Sequence, residues 1–178
     1  MARISALYTA DGASFVSRPV DRLVLTLEGI AGDLHAGPTR KSDSRTPWHG
    51  RGTRIANTRQ LSLVSAEECA AVARALEIES LDPALIGSNL VVEGIADFTR
   101  IAPGTRLQAP SGATIFITEP NAPCRQAGRS IAAALARPDI EFGFPKHAKG
   151  MRGVVALVER EGEVAVGDAL KVIRAATG

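Results

Sequence analysis

Turn residues interrupt this chain at short intervals, and the runs between them are brief and rich in β-branched residues. "QLSLVS", "SNLVVEG", "TRLQAP", "ATIFITE", "RGVVALVER" and "ALKVIRA" read as strands, separated by signals such as Pro103-Gly104, Ser111-Gly112 and Glu161-Gly162. Ala2 to Tyr8 and Leu23 to Leu27 read the same way, with "ADGAS" as the turn of a hairpin between them. Two segments carry the helical period instead. "SAEECAAVARALE" sets Ser65 and Glu68 in capping-box spacing and repeats apolar residues at Cys69, Val72, Ala73 and Leu76; "CRQAGRSIAAALA" reads as a second, short helix. Many short strands with a helix or two predict a mainly β fold, a partly closed β-barrel that hides its sheet edges, and argue against an alternating βαβ arrangement.

A length of 178 residues suits one domain, expected to span 1–178. No apolar run approaches the ~20 residues of a membrane span, and the opening "MARISALYTADGAS" lacks the pattern of a signal peptide, so a soluble, cytoplasmic protein without a membrane partner is expected. Only two cysteines occur, and a chain that is 45% hydrophobic needs no disulfide framework. The thiols are therefore expected to be free. A net charge of +2 and an aromatic fraction of 4% offer neither the basic balance nor the stacking platforms of a dedicated nucleic-acid binder. Nucleic acid is not an expected partner.

The two cysteines differ in setting. Cys69 falls on the apolar face of the first helix, where a thiol behaves as a small hydrophobe. Cys124, in "TEPNAPCRQAG", follows a proline at the start of the second helix, with Arg125 and Arg129 close in sequence. A helix N-terminus and nearby cations favour the thiolate, the form that attacks electrophiles or binds soft metals. The alternative at this position is an inert loop cysteine.

Upstream, "GIAGDLHAGPTR" places Asp33 and His35 two apart between flexible glycines, either as a ligand-facing pair or as a turn closed by Asp33. A zinc site of Asp33, His35 and Cys124 is conceivable, though no recognisable ligand spacing supports it. From Gly29 to Thr58 the chain reads as one long loop holding Arg40, Lys41, Arg45, Arg51 and Arg54, with Arg59 just beyond it and Asp43 as the single acid among them. Such a loop concentrates anions, and arginine forks suit phosphate. "KHAKGMRG" puts His147, Lys149 and Arg152 around glycine as a possible second basic wall. Neither the P-loop nor the Rossmann glycine pattern occurs.

In order, "GDLHAG", "RQLSL" with its "SAEE" helix, "GSNLVVEG", "PGTRL", Pro123-Cys124, "RGVVALVE", "GEV" and "VGDAL" resemble the MOSC domain, the molybdenum cofactor sulfurase C-terminal domain, in its small stand-alone bacterial form. The resemblance runs from about Gly29 to Val172. It implies a β-barrel that binds molybdenum cofactor (molybdopterin), with Cys124 as the thiolate on molybdenum. Ser88 stands where family members often carry glutamate, and Pro38 to Asn57 is an arginine-rich insert with a looser match. Asn89, Ser88, Arg59, Arg125, Lys149 and Arg152 become candidates for holding the cofactor, and His35 with Asp33 for moving or orienting a proton.

Three functions follow from that resemblance. The leading one is a molybdenum-dependent oxidoreductase that reduces N-hydroxylated compounds; lacking any flavin, haem or iron–sulfur motif, it would draw electrons from a separate donor protein. The second is a sulfur carrier that takes a Cys124 persulfide from a cysteine desulfurase for cofactor or metal–sulfur cluster assembly. The third is a non-catalytic barrel that binds cofactor or nucleic acid. Pyridoxal phosphate is not expected in any of them.

Overall fold

A computed structural model describes residues 1–12 and 14–175. Short strands dominate: β1 (Arg3–Thr9), β2 (Arg18–Val20), β3 (Arg22–Thr26), β4 (Gly29–Ile30), β5 (Thr39–Lys41), β6 (Arg54–Ala56) and β7 (Leu61–Ser65) precede helix α1 (Ala66–Ala75). After α1 come β8 (Leu90–Glu93), β9 (Arg106–Gln108) and β10 (Thr114–Pro120), then helices α2 (Arg125–Leu135) and α3 (Ile140–His147), and finally β11 (Val154–Arg160), β12 (Gly162–Ala165) and β13 (Lys171–Ile173). The main sheet has the order β13-β9-β10-β11-β7-β8-β1-β2; β12-β3-β4 and β5-β6 form two smaller ones.

The main sheet is antiparallel except at β7 and β8, which run parallel with α1 as their crossover. Both faces of these two strands are covered. Leu63, Leu90 and Val92 enter the barrel core, while Val64 and Val91 enter a second cluster under the helices with Val72, Ile131 and Phe144. That double burial explains why "LSLV" and "LVV" are apolar without a break. Register shifts in the β1–β8 and β10–β11 pairs add local twist and help the sheet to curl. Just before β13 the chain returns to β1, with the Ile4 N–H donating to the Asp168 carbonyl at 2.9 Å and the Leu170 N–H to the Ala2 carbonyl at 2.9 Å. The barrel is thus partly closed, as the strand pattern predicts.

The expected hairpin of Ala2–Tyr8 with Leu23–Leu27 does not form. Leu7 to Thr9 of β1 pair with Arg18–Val20, whereas Leu23 and Leu25 are matched with Val164 and Gly162 of β12. The proposed turn includes Ala13, which lies outside the described residues. Helix α1 is as read, but its capping box is only half made. Ser65 Oγ accepts from the Glu68 N–H at 3.3 Å, while the Glu68 carboxylate turns to Thr99, accepting from its N–H at 2.9 Å and its hydroxyl at 2.6 Å.

The second helix is confirmed as α2, and α3 is an addition. Gly143 and Pro145 read as breakers, yet Phe144 is fully buried in the helical cluster and holds α3 against α2. Gly128 permits that contact: a Cβ there would lie 2.5 Å from the Glu141 carbonyl oxygen. Among the described residues no helix is long and apolar enough to cross a membrane.

Candidate functional site

A cleft of ≈ 310 Å³ opens beside the β10–α2 junction. The junction contributes Asn121, Ala122, Cys124 and Gln126; the β5–β6 ribbon contributes Arg40, Lys41, Asp43 and Arg45; β7 supplies Leu61 and Ser62. Phe15, Ile86 and Val155 give it apolar surface, and His35, Asn57, Arg59 and Arg152 complete its polar lining. The volume sits at the small end of the ~300–1,000 Å³ usual for small-molecule sites.

Cys124 is the N-cap of α2. Its backbone is extended, with φ −129° and ψ 161°, and its side chain makes no capping hydrogen bond. The partly exposed thiol therefore lines the cleft at the N-terminal end of an eleven-residue helix. Cys69 is the opposite case. It is buried under α1, and burial pushes its thiol up to about 12, with Arg152 acting against the shift. A thiol held protonated by the fold stabilises the native state below its unfolded pKa of ~8.5, and that contribution is lost as pH rises toward the folded value. Titration with a disulfide reagent at pH 8 is accordingly expected to modify one thiol quickly and the second only on unfolding; two fast equivalents would contradict this assignment.

Arg152 is 5% exposed. Its Nη2 donates to the Ile86 carbonyl at 2.6 Å and its Nη1 to Ser62 Oγ at 3.4 Å, and among the described residues no carboxylate forms an ion pair with it. Burial lowers its pKa to about 10, opposed by Cys124 and Cys69 and reinforced by Arg59 and Arg45, so the guanidinium stays charged at neutral pH. Arg59, half-buried, is tied down instead: Nη1 donates to Glu119 Oε1 at 2.7 Å and Nη2 to Asn121 Oδ1 at 3.0 Å. Burial also lowers its pKa, against the pull of Glu119.

The ribbon forms the outer wall. Arg45 Nη1 lies 2.8 Å from Asp43 Oδ2 and Arg40 Nη1 lies 3.8 Å from the same oxygen. Partial burial would raise the Asp43 pKa, but the Arg45 N–H and the two guanidinium groups outweigh it and the net shift is down. Arg40 Nε is buried and has no hydrogen-bond partner among the described residues.

Asp33 and His35 form a pair. His35 Nδ1 lies 2.9 Å from Asp33 Oδ1, which also accepts the His35 N–H at 2.9 Å. Asp33 Oδ2 accepts from the Ala10 N–H at 2.7 Å and from Asn89 Nδ2 at 3.0 Å. Burial works against the carboxylate, but these bonds prevail and its pKa is lowered. In the tautomer that donates from Nδ1 to Asp33, Nε2 is left as an acceptor, an arrangement suited to proton transfer.

Cys124, His35, Arg59 and Arg152 thus meet in one cleft, with Asp33 behind the histidine. Other candidates lie elsewhere. Asn89 is fully buried, with Oδ1 accepting from the Ser62 N–H at 3.0 Å and Nδ2 committed to Asp33, so it braces the site from beneath. Ser88 is also fully buried and does not line the cleft, although its Oγ has no partner. Arg125 is exposed, donates to Glu141 at 2.6 Å and stacks on Phe142. Lys149 is exposed beyond α3 and is not part of the lining, which leaves Arg152 as the contribution of "KHAKGMRG". Among the described residues no three potential metal ligands cluster, so a zinc centre of Asp33, His35 and Cys124 is not built. Asn57, Ser62, Asn121 and Gln126 in the lining were not singled out from the sequence, although Asn57 ends the arginine-rich insert and Asn121 and Gln126 flank Cys124 in "TEPNAPCRQAG".

Fold and site together define a small, partly closed β-barrel that presents one thiol in a cationic cleft. The chain belongs to the MOSC domain family, which it matches over residues 32–171. It is 41% identical over 172 residues to a Bacillus subtilis (strain 168) protein named "Putative metal-sulfur cluster biosynthesis proteins YuaD", covering 96% of this chain and 90% of that one. The crystal structure of YuaD from Bacillus subtilis superposes with a TM-score of 0.95 at 39% identity, covering 99% of this chain and 98% of the other. YiiM from Geobacillus stearothermophilus shares the fold, with a TM-score of 0.66 at 14% identity over 98% of this chain and 76% of its own.

Proposed function

We propose that this MOSC domain binds the molybdenum cofactor in the cleft and with it reduces N-hydroxylated compounds. The observation that carries the reading is Arg152: a buried, charged guanidinium with no carboxylate partner among the described residues, on the same cleft as a thiol that makes no capping hydrogen bond. An unpaired buried cation is costly, and an anion entering the cleft would offset that cost. The residues fit the cofactor chemically. One soft sulfur with no surrounding ligand cage suits a metal that brings its own dithiolene sulfurs, and the arginines suit a phosphate.

In this reading Cys124 is the protein ligand to molybdenum, and Arg152 and Arg59 hold the anionic end of the cofactor. When bound, the cofactor would supply the two-electron redox chemistry that the reduction requires. The protein's share is binding and proton handling. His35, oriented by Asp33, exchanges a proton at Nε2, and Phe15, Ile86 and Val155 exclude water from that side of the cleft. Electrons come from a separate donor protein, and the cytoplasm is the compartment that suits two free thiols.

A second reading is favoured by the name of YuaD: Cys124 carries sulfur as a persulfide, received from a cysteine desulfurase and passed on in cluster or cofactor assembly. One preparation from cofactor-competent cells separates the two. Molybdenum near one per chain, with reduction of an N-hydroxylated purine or benzamidoxime by artificial reductant, is the expected result. Cyanide-labile sulfur on Cys124 without molybdenum, and no conversion of either compound, would replace it with sulfur transfer.

A further inference from the structure

The cleft carries more positive charge than one phosphate needs, and it carries it in two tiers. The inner tier is Arg152 and Arg59, beside Cys124. The outer tier is Arg40, Lys41 and Arg45 on the ribbon, facing Asp43 alone. Glu119 already offsets Arg59, so the inner tier leaves Arg152 uncompensated and the outer tier exceeds Asp43; a phosphomonoester, with about −1.5 to −2 charge at neutral pH, does not offset both tiers.

The ribbon is also built to stay in place. Ser42 Oγ donates to the Gly50 carbonyl at 2.6 Å, the Ser42 N–H to the Thr53 carbonyl at 2.8 Å and the Gly52 N–H to the Ser42 carbonyl at 3.0 Å, while Asn57 Nδ2 ties its base to the carbonyls of His35 and Gly37 at 2.8 and 3.0 Å. A loop fixed in this way holds its cations at set positions instead of letting them disperse into solvent, which is the arrangement of a recognition surface. The same cleft is also lined by the apolar side chains of Phe15, Ile86 and Val155.

Resting on the reading above, we infer that the outer tier is a second anion site, and that the ligand it selects is the phosphomonoester of a planar heterocycle: a nucleotide, with its ring against the apolar surface and its phosphate on the ribbon. Free bases and nucleosides are poorer ligands.

Calorimetric titration of cofactor-free and cofactor-loaded protein with AMP, adenosine and inorganic phosphate tests this. AMP is expected to bind at least about tenfold more tightly than adenosine, the scale of one charge-assisted hydrogen bond. The double variant Lys41→Gln, Arg45→Gln changes only surface positions and should reduce the preference to about twofold. Trp48 is the sole tryptophan and sits on the ribbon, so a fluorescence change on AMP addition that is absent with adenosine would support the assignment. Equal affinity for AMP and adenosine overturns it. So does a preference that vanishes on cofactor loading, since the ribbon would then be serving the cofactor's own phosphate. Tighter binding of a twelve-nucleotide single strand than of AMP, with steep salt dependence, overturns it in favour of nucleic acid. Failure of the cofactor reading is separate: protein that never acquires molybdenum but still prefers AMP loses the reductase and keeps the nucleotide site.

Discussion

Changing Cys124 to serine is expected to remove molybdenum and activity while leaving the protein as stable as before, or more so. Second-shell partners of a metal typically cost 10- to 100-fold in affinity when removed, and loss of the ligand itself should exceed about 100-fold. The stability side follows from the position. Cys124 caps α2 without a side-chain hydrogen bond, and serine is among the residues that best make one. A gain of up to ~1 kcal/mol follows, or about 2–4 °C in Tm for a chain of this size. A variant that keeps its molybdenum would remove Cys124 from the mechanism; one that melts several degrees lower would make the thiol a packing group. Cys69→Ser should do the reverse, losing stability and keeping the metal, because it puts a hydroxyl into the helical cluster.

Gly153→Ala is expected to cost the most stability of any glycine-to-alanine change beside the site. Gly153 has φ +82°, and an added Cβ would fall inside the contact shell of the Leu63 carbonyl oxygen, 2.9 Å from its carbon and 3.0 Å from Val64 Cα. All three are backbone atoms of β7, so no side chain can swing aside. The left-handed backbone alone costs roughly 1–2 kcal/mol in a residue with a Cβ. Relief of the clash would also pull the start of β11 away from β7, breaking the 2.6 Å bond from the Gly153 N–H to Thr99 Oγ1. A total above about 4 kcal/mol, within a usual stability of ~5–15, should appear as insoluble expression or a collapsed denaturation midpoint. A midpoint within ~1 kcal/mol of the parent would mean that the β7–β11 seam is looser than its geometry implies. Arg152 is the residue before, so this seam also seats the unpaired cation of the cleft.

What could be read from the sequence was what depends on neighbours in the chain. Helix α1 shows its period and its cap within thirteen residues, and α2 follows from the same logic. Most strands of the main sheet announce themselves through β-branched runs between glycine and proline turns, but β2, only Arg-Pro-Val, does not. Strand partners are a different matter: β3 pairs with β12, nearly the whole chain away, and nothing local to Leu23–Leu27 distinguishes that partner from β1. The β5–β6 ribbon was invisible because its strands are three residues long and mostly exposed, so no apolar alternation marks them. Helix α3 was hidden by Gly143 and Pro145, whose local preferences are overridden by the burial of Phe144. At the site, Cys124, His35, Arg59 and Arg152 could be named because thiols, imidazoles and clustered arginines are rare enough to notice. Their division of labour could not. Asn89 became a brace because three groups surround it in space, and Lys149 fell outside because α3 carries the chain past the cleft before Arg152 turns in.

The base of the ribbon has a consequence for how such a barrel can change its ligands. The chain departs at Pro38 and returns at Asn57, where the Asn57 N–H donates to the Pro38 carbonyl at 3.0 Å and Nδ2 clasps the two carbonyls just upstream. Everything between is an excursion closed by that asparagine and by the pairing of β5 with β6. Closing a longer or shorter excursion across the same clasp alters the entropy of closure by only ~0.6 kcal/mol per doubling of length. The ribbon is therefore an exchangeable cassette: its charges, length and tip can be rewritten, by evolution or by grafting, while the thiol, the buried arginine and the histidine keep their places on a frame that does not need to refold.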